Sequence, residues 1–274
     1  MKKVSLIFAV ILVFVCAVVP AMAKSDLLEK IQEKGYVDFC TEPYWAPNEF
    51  IDPTKSGDEQ YVGVDIEFAK VIADKIGVDL KINPLDFDAV LAGTANGKCD
   101  IAISAIAWSP VRENAMRLSD GYKFEEVGYG FLVREGEEDK YTSIEDLANA
   151  VVITQSGSVQ EAIYNQYCNN AKEFKLVANM TDGYLSVSEG KADVCITHKD
   201  SGQLYAEANG GLAVPEFQFE VDPKMSSQVV AMPLDGSESF MEAVNEVIAE
   251  LTAESKFDEW EDYYKAYAKE LGVD

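Results

Sequence analysis

The chain reads as an α/β protein of two lobes joined by a hinge, and three observations lead to that reading. Between residues 36 and 105, apolar runs of strand length alternate with stretches of helical period, the pattern of a parallel sheet with crossover helices. A second block of similar plan follows between residues 144 and 200. After residue 227 the chain regains apolar strand character and ends in two amphipathic stretches, a tail that returns to the first block. The expected division is 24–124 plus 228–274 for one lobe and 125–227 for the other. With 274 residues, 48% of them hydrophobic, each lobe can hold a core of its own.

The first 23 residues stand apart. Lys2 and Lys3 form a basic start, residues 4–19 are apolar, and Ala21-Met22-Ala23 is a small-residue cleavage site before Lys24. This is the layout of a cleaved signal peptide, so the mature protein is expected outside the cytoplasm, in the periplasm or beyond. The apolar run is too short to span a membrane, and no later stretch is long enough either. A lipid anchor at Cys16 fits poorly, because Val13, Phe14 and Val15 precede it where a small residue is expected. The net charge of −25 repels phosphate backbones and argues against nucleic-acid partners. Past the signal peptide remain Cys40, Cys99, Cys168 and Cys195. An even count in an exported chain permits disulfides without establishing them, so bridges and buried free thiols both stay open.

In chain order, residues 25–34 form a short helix with Leu27, Leu28 and Ile31 on one side, stopped by Gly35, and residues 36–40 form a strand. A loop rich in aromatics and proline (42–50) sits at the strand's C-terminal end, where open α/β sheets place ligands. Asp65 reads as the N-cap of a helix whose face carries Val64, Phe68, Val71, Ile72 and Ile76 and which Gly77 ends. Residues 78–82 are a strand and 85–96 a helix with Phe87, Val90, Leu91 and Thr94 aligned. A strand at 127–133 precedes the second block, which offers strands at 151–154, 174–177 and 192–197, and short helices at 144–148, after Ser158, and at 183–189. Ser158 and Glu161 have capping-box spacing. A strand at 228–232 and helices at 238–252 and 256–271 complete the chain.

The stretch 99–112, CDIAISAIAWSPVR, organises the rest. Its first half is a buried central strand. Its second half opens a helix with Ser109 as N-cap, Pro110 at the first helical position and Glu113 in the first turn. Arg112 opposes the positive end of the helix dipole there, which is unfavourable unless an anion joins it. The corner therefore reads as a carboxylate site.

These residues resemble the bacterial extracellular solute-binding proteins of the polar amino-acid type (family 3), the receptor parts of ABC importers. Gly63-Val-Asp65-Ile-Glu67-Phe68 is similar to the family's signature, with Val64 smaller than usual. Residues 87–100, ending Gly97-Lys98-x-Asp100, resemble the next family element. Ser109-Pro-Val-Arg112 resembles a threonine-x-x-arginine motif whose arginine binds the ligand's α-carboxylate, and the Trp260 to Tyr264 tail also matches. The resemblance implies a type II periplasmic-binding-protein-like fold with an interlobe cleft, a small amino acid or related carboxylate as ligand, a membrane permease as partner and a monomer without cofactor or metal. It carries Trp45 and Phe87 over as rings stacking on the ligand. Ser104 and the backbone near Ile106 and Ala107 come over as hydrogen-bonding groups, with Ser158 and Val159 adding more from the opposite lobe. Ala107 stands where many relatives carry a serine. The acid that grips the ligand's ammonium should follow the strand 192–197, where this chain has His198, with Asp200 two residues on. Either Asp200 does that work or the ligand is not a standard α-amino acid.

Gly93 to Lys98 is one residue short of a phosphate loop and lies at a helix end. A single histidine cannot build a multi-histidine metal site, and no G-x-S-x-G or H-E-x-x-H occurs. Two alternatives use the same scaffold: a periplasmic dehydratase or lyase with His198, Asp200, Glu42 or Lys199 as acid or base, and a ligand-presenting partner of a chemoreceptor. Glu42, Asp88 and Asp200 hint at a cationic ligand side chain.

Overall fold

The computed structural model describes residues 26–124 and 128–273. The signal peptide expected at residues 1–23 and the strand start expected at Val127 lie outside the described residues. Helix α1 (Leu27–Lys34) opens on Asp26, whose carboxylate accepts the Leu28 N–H at 2.8 Å, and stops at Gly35 with φ 77°. Strand β1 (Tyr36–Thr41) leads into a hairpin, β2 (Tyr44–Trp45) and β3 (Glu49–Ile51), which β4 (Tyr61–Val62) extends. Then come α2 (Val64–Ile76), β5 (Asp79–Pro84), α3 (Phe87–Ala95), β6 (Ile101–Ala102), α4 (Pro110–Ala115), β7 (Met116–Leu118) and β8 (Lys123–Phe124). The second block holds β9 (Tyr129–Arg134), β10 (Val151–Gln155), α5 (Val159–Ile163), β11 (Glu173–Val177), α6 (Met180–Ser188), β12 (Val194–His198), α7 (Lys199–Asn209) and β13 (Leu212–Ala213). The return runs through β14 (Ser227–Gln228) and β15 (Ala231–Pro233) to α8 (Glu238–Ala253) and α9 (Lys256–Leu271).

Each block builds one sheet, in the orders β5-β1-β6-β15-β7 and β11-β10-β12-β9-β13. Both keep three parallel strands in the order second, first, third, and both seat an antiparallel strand beside the third. In each sheet that antiparallel strand is the one delivered by a crossing between the lobes, β9 on the way out and β15 on the way back. The crossings run side by side, since β8 pairs antiparallel with β14.

The first core gathers Phe39 and Ile101 from the sheet, Phe68 and Ile72 from α2, and Val244, Ile248 and Phe257 from the tail, so the last two helices complete the first lobe. The second sheet is covered on both faces. Phe131, Val152 and Ile196 enter one cluster while their neighbours Leu132, Ile153 and Cys195 enter another, the alternation a pleated strand imposes.

Several elements depart from the reading of the sequence. The N-cap of α2 is Gly63, with Asp65 inside the first turn and its carboxylate turned to the interior. Only glycine fits: φ is 128°, and a Cβ would lie 2.2 Å from the Asn48 carbonyl oxygen. The strand expected at 99–105 pairs only over β6, because the chain bends at Ala105, a non-glycine residue with φ 44°. The strand expected at 228–232 is split in two: Val229 N–H turns to the Ile106 carbonyl and Val230 N–H to the Ser119 hydroxyl. Helix α7 was not anticipated. Cys40 and Cys99 form a disulfide, whereas Cys168 and Cys195 are buried free thiols.

Candidate functional site

Helix α4 forms as expected, with Pro110 at its first position and the Ser109 hydroxyl accepting the Arg112 N–H at 3.3 Å. The cap uses that backbone donor, so the guanidinium itself is what α4 contributes to the cleft. Arg112 is 6% exposed. Its Nη1 donates to the Ala107 carbonyl at 2.5 Å and its Nη2 to the Gly157 carbonyl at 3.0 Å, and it lies 5.3 Å over the Phe87 ring. Burial lowers its pKa to about 10, which leaves it charged at neutral pH. Among the described residues no carboxylate pairs with it. A buried guanidinium satisfied only by carbonyl dipoles is costly until an anion joins it.

Arg112 lines a cleft of about 550 Å³, counting its open mouth, between the C-terminal ends of β1 and β6 on one side and those of β10 and β12 on the other. The first lobe supplies Glu42, Trp45, Glu49, Phe87, Ser104, Ala105 and Ala107. The second supplies Tyr129, Gln155, Ser158, Val159, Gln160 and His198, and the return segment adds Met225, Ser226 and Gln228. Of the residues singled out from sequence, Arg112, Trp45, Phe87, Ser104, Ala107, Ser158, Val159 and His198 are thus brought together. Two are not. The Ile106 side chain is wholly buried and its carbonyl serves Val229, while Asp200 is exposed in a separate groove beside Pro47 and Lys265. In Ser158 the hydroxyl is engaged locally, donating to the Gln155 carbonyl at 2.7 Å and accepting from Glu161 N–H at 3.1 Å. The capping box is only half formed, since the Glu161 carboxylate takes the Gly157 N–H instead of its counterpart on Ser158.

The acids of the aromatic loop matter more than the sequence suggested. Glu42 is 4% exposed, and Gln155 Nε2 reaches its two oxygens at 2.7 and 2.8 Å from the opposite lobe. Burial, with smaller contributions from Asp86 and Asp88, pushes its pKa up to about 8. No lysine or arginine pairs with it among the described residues. Glu49 is 1% exposed, accepts the Ser104 hydroxyl at 3.0 Å, and is pushed well above the usual carboxylate range by burial and by neighbouring Asp65. Among the described residues, the cleft thus sets the Arg112 guanidinium without a counter-anion beside the Glu42 carboxyl group without a counter-cation. His198 is 3% exposed and meets the Tyr129 ring edge-on at 5.5 Å. Glu49 and Gln155 escaped the sequence reading; the one signal for Glu49 was its place in a loop rich in aromatics and proline at the C-terminal end of a strand.

Residues 37–267 match the family of bacterial extracellular solute-binding proteins, family 3. The chain belongs to that family. Among relatives of this solute-binding protein, the L-cystine-binding protein TcyJ of Escherichia coli is 25% identical over 234 residues, covering 85% of this chain and 84% of that one. A crystal structure of the amino acid ABC transporter substrate-binding protein AbpA from Streptococcus pneumoniae, bound to L-arginine, superposes with a TM-score of 0.78 at 29% identity, over 90% of this chain and 99% of that one. The cyclohexadienyl dehydratase of Pseudomonas aeruginosa is 23% identical over 206 residues, 74% of each chain. The fold of this solute-binding protein is therefore the two-lobed type II arrangement, with the cleft where the lobes meet.

Proposed function

We propose that this solute-binding protein captures a cationic amino acid, with L-arginine the first candidate, for a membrane permease of the ABC class. One observation carries the reading: Arg112 and Glu42, each buried and, among the described residues, each without an oppositely charged partner, line the same cleft. A ligand with a carboxylate at one end and a cationic nitrogen at the other satisfies both. Trp45 and Phe87 offer flat apolar faces between those ends, and the arginine-bound relative supports the choice of cation. The lobe boundaries proposed are 24–124 with 228–274 and 125–227, in a monomer exported by a cleaved signal peptide.

Thermal melts with L-arginine, L-lysine, L-glutamine and L-cystine test it. A ligand at about a hundred times its Kd adds roughly 2.7 kcal/mol to the folded state, so the cationic pair raises Tm by several degrees and glutamine by less. No shift from any of the four would overturn the reading. Glu42 also holds a pKa suited to proton transfer near neutrality, the property a dehydratase would use. Mass spectrometry after prolonged incubation separates the two, since a receptor returns its ligand unchanged.

A further inference from the structure

A free cationic amino acid carries a carboxylate, an α-ammonium beside it and a distal cation. Arg112 answers the carboxylate and Glu42 the distal cation; the lining of the cleft decides what meets the α-ammonium. Among the described residues that line the cleft, the acids are Glu42 and Glu49. Glu42 is held by Gln155 Nε2 and has the exposed Asp86 and Asp88 as neighbours, so it belongs to the end away from Arg112. Glu49 is 1% exposed and accepts the Ser104 hydroxyl at 3.0 Å, and burial in this place disfavours its charged form. The wall that the second lobe presents, Tyr129, Gln155, Ser158, Val159, Gln160 and His198, contains no carboxylate.

The surroundings of the guanidinium are free of acids too. Arg112 touches the Ala107 and Gly157 carbonyls and the Phe87 ring. Tyr129 stands near enough to favour its charged form, and His198 meets Tyr129 edge-on at 5.5 Å, set there by the antiparallel pairing of β12 with β9. The Glu161 carboxylate accepts the Gly157 N–H at 2.7 Å, and Asp200 opens on another groove. An α-ammonium buried at this end meets an imidazole, a phenol and backbone carbonyls but no counter-ion, and burying a charge that way is costly. A ligand without the ammonium leaves nothing stranded. A site with a buried acid there behaves in the opposite way, rejecting the analogue that lacks its partner by about ten-thousand-fold.

We propose that the cleft reads a carboxylate and a distal cation and leaves the α-ammonium unread, so that its substrate class is the ω-guanidino and ω-amino carboxylic acids, with or without an α-amino group. His198 sets this tolerance, because it fills the end of β12 with a group that offers an ammonium no full negative charge. The inference rests on the function proposed above, from which it takes the pairing of Arg112 and Glu42 with the two ends of the ligand.

Calorimetry on the full chain at neutral pH compares L-arginine with 5-guanidinopentanoate, which is arginine without its α-amino group. The two are expected to bind with affinities within about tenfold of each other, or the desamino acid more tightly. L-arginine tighter by more than about tenfold overturns the inference and leaves the proposed function standing. Binding of neither acid overturns both. The second arm changes the end of β12: His198→Asp should shift the ratio of affinities toward L-arginine by about tenfold, while His198→Asn leaves the ratio as in wild type. An unchanged ratio in His198→Asp overturns the role given to that residue. Glu49→Gln should also leave the ratio unchanged. A loss of affinity for L-arginine alone in that variant would make Glu49 the partner of the ammonium, and the inference falls.

Discussion

At Arg112 the guanidinium is shared between a carbonyl of its own lobe and one of the other, Ala107 and Gly157. Arg112→Ala is expected to abolish ligand binding while leaving the circular-dichroism melt cooperative; wild-type affinity in calorimetry would remove the residue from the site. Arg112→Lys keeps the charge but loses the planar fork, and binding should weaken by about tenfold or more. Glu42 gives a pH signature. Its folded pKa, about 8, lies above the ordinary 4.5, so the folded chain holds a proton there that the unfolded chain has released. Its contribution to stability is complete below about 4.5 and is lost as pH rises through about 8. Glu42→Gln should match wild type in acid and melt higher on the alkaline side, as Tm measured across pH will show. Arg112 was legible in the sequence because a cation in the first turn of a capped helix breaks a local rule. The role of Glu42 was legible only in part: its burial depends on Gln155, 113 positions away, and nothing local announces that contact.

Among the elements, the helices with a clean apolar stripe and a glycine stop were readable, α1 and α2 above all. Helix α7 was not, because its sequence, KDSGQLYAEAN, buries only Gly202, Tyr205 and Ala206 and shows no continuous stripe. The break in the last strand was equally hidden, since Val229 and Val230 are as apolar as ladder residues but hydrogen-bond elsewhere. The α2 cap was misassigned for a related reason: an acid in a helix's first turn looks alike whether it caps the helix or turns inward. Gly63→Ala tests the cap observed. Its Cβ would collide with the Asn48 carbonyl, so the substitution should cost about 2–3 kcal/mol in urea unfolding. A loss near zero would mean that the hairpin and α2 can part without strain.

For the whole molecule, the strand–helix alternation in two blocks was enough to read two lobes, and the return of the tail placed its helices on the first. The sequence could not show how the lobes touch. Contacts that join them across the cleft include Gln155 with Glu42, the Gly157 carbonyl with Arg112, and Trp45 against the cluster around Tyr184 and Tyr205. Ligand added to the wild type should shrink the radius of gyration in solution scattering, as closure requires. Gln155→Ala, lacking the first contact, should need more ligand to reach the same compact form; an unchanged titration would show that this amide contributes nothing to closure.

The pairing of β8 with β14 decides what kind of motion that is. Two ribbons stitched edge to edge form a flat strap, which flexes across its width far more readily than it twists. The halves are thereby steered along one arc, and they meet in the same register each time. A cut in either ribbon would leave the other still holding that register, so a singly nicked chain should go on opening and shutting as one body.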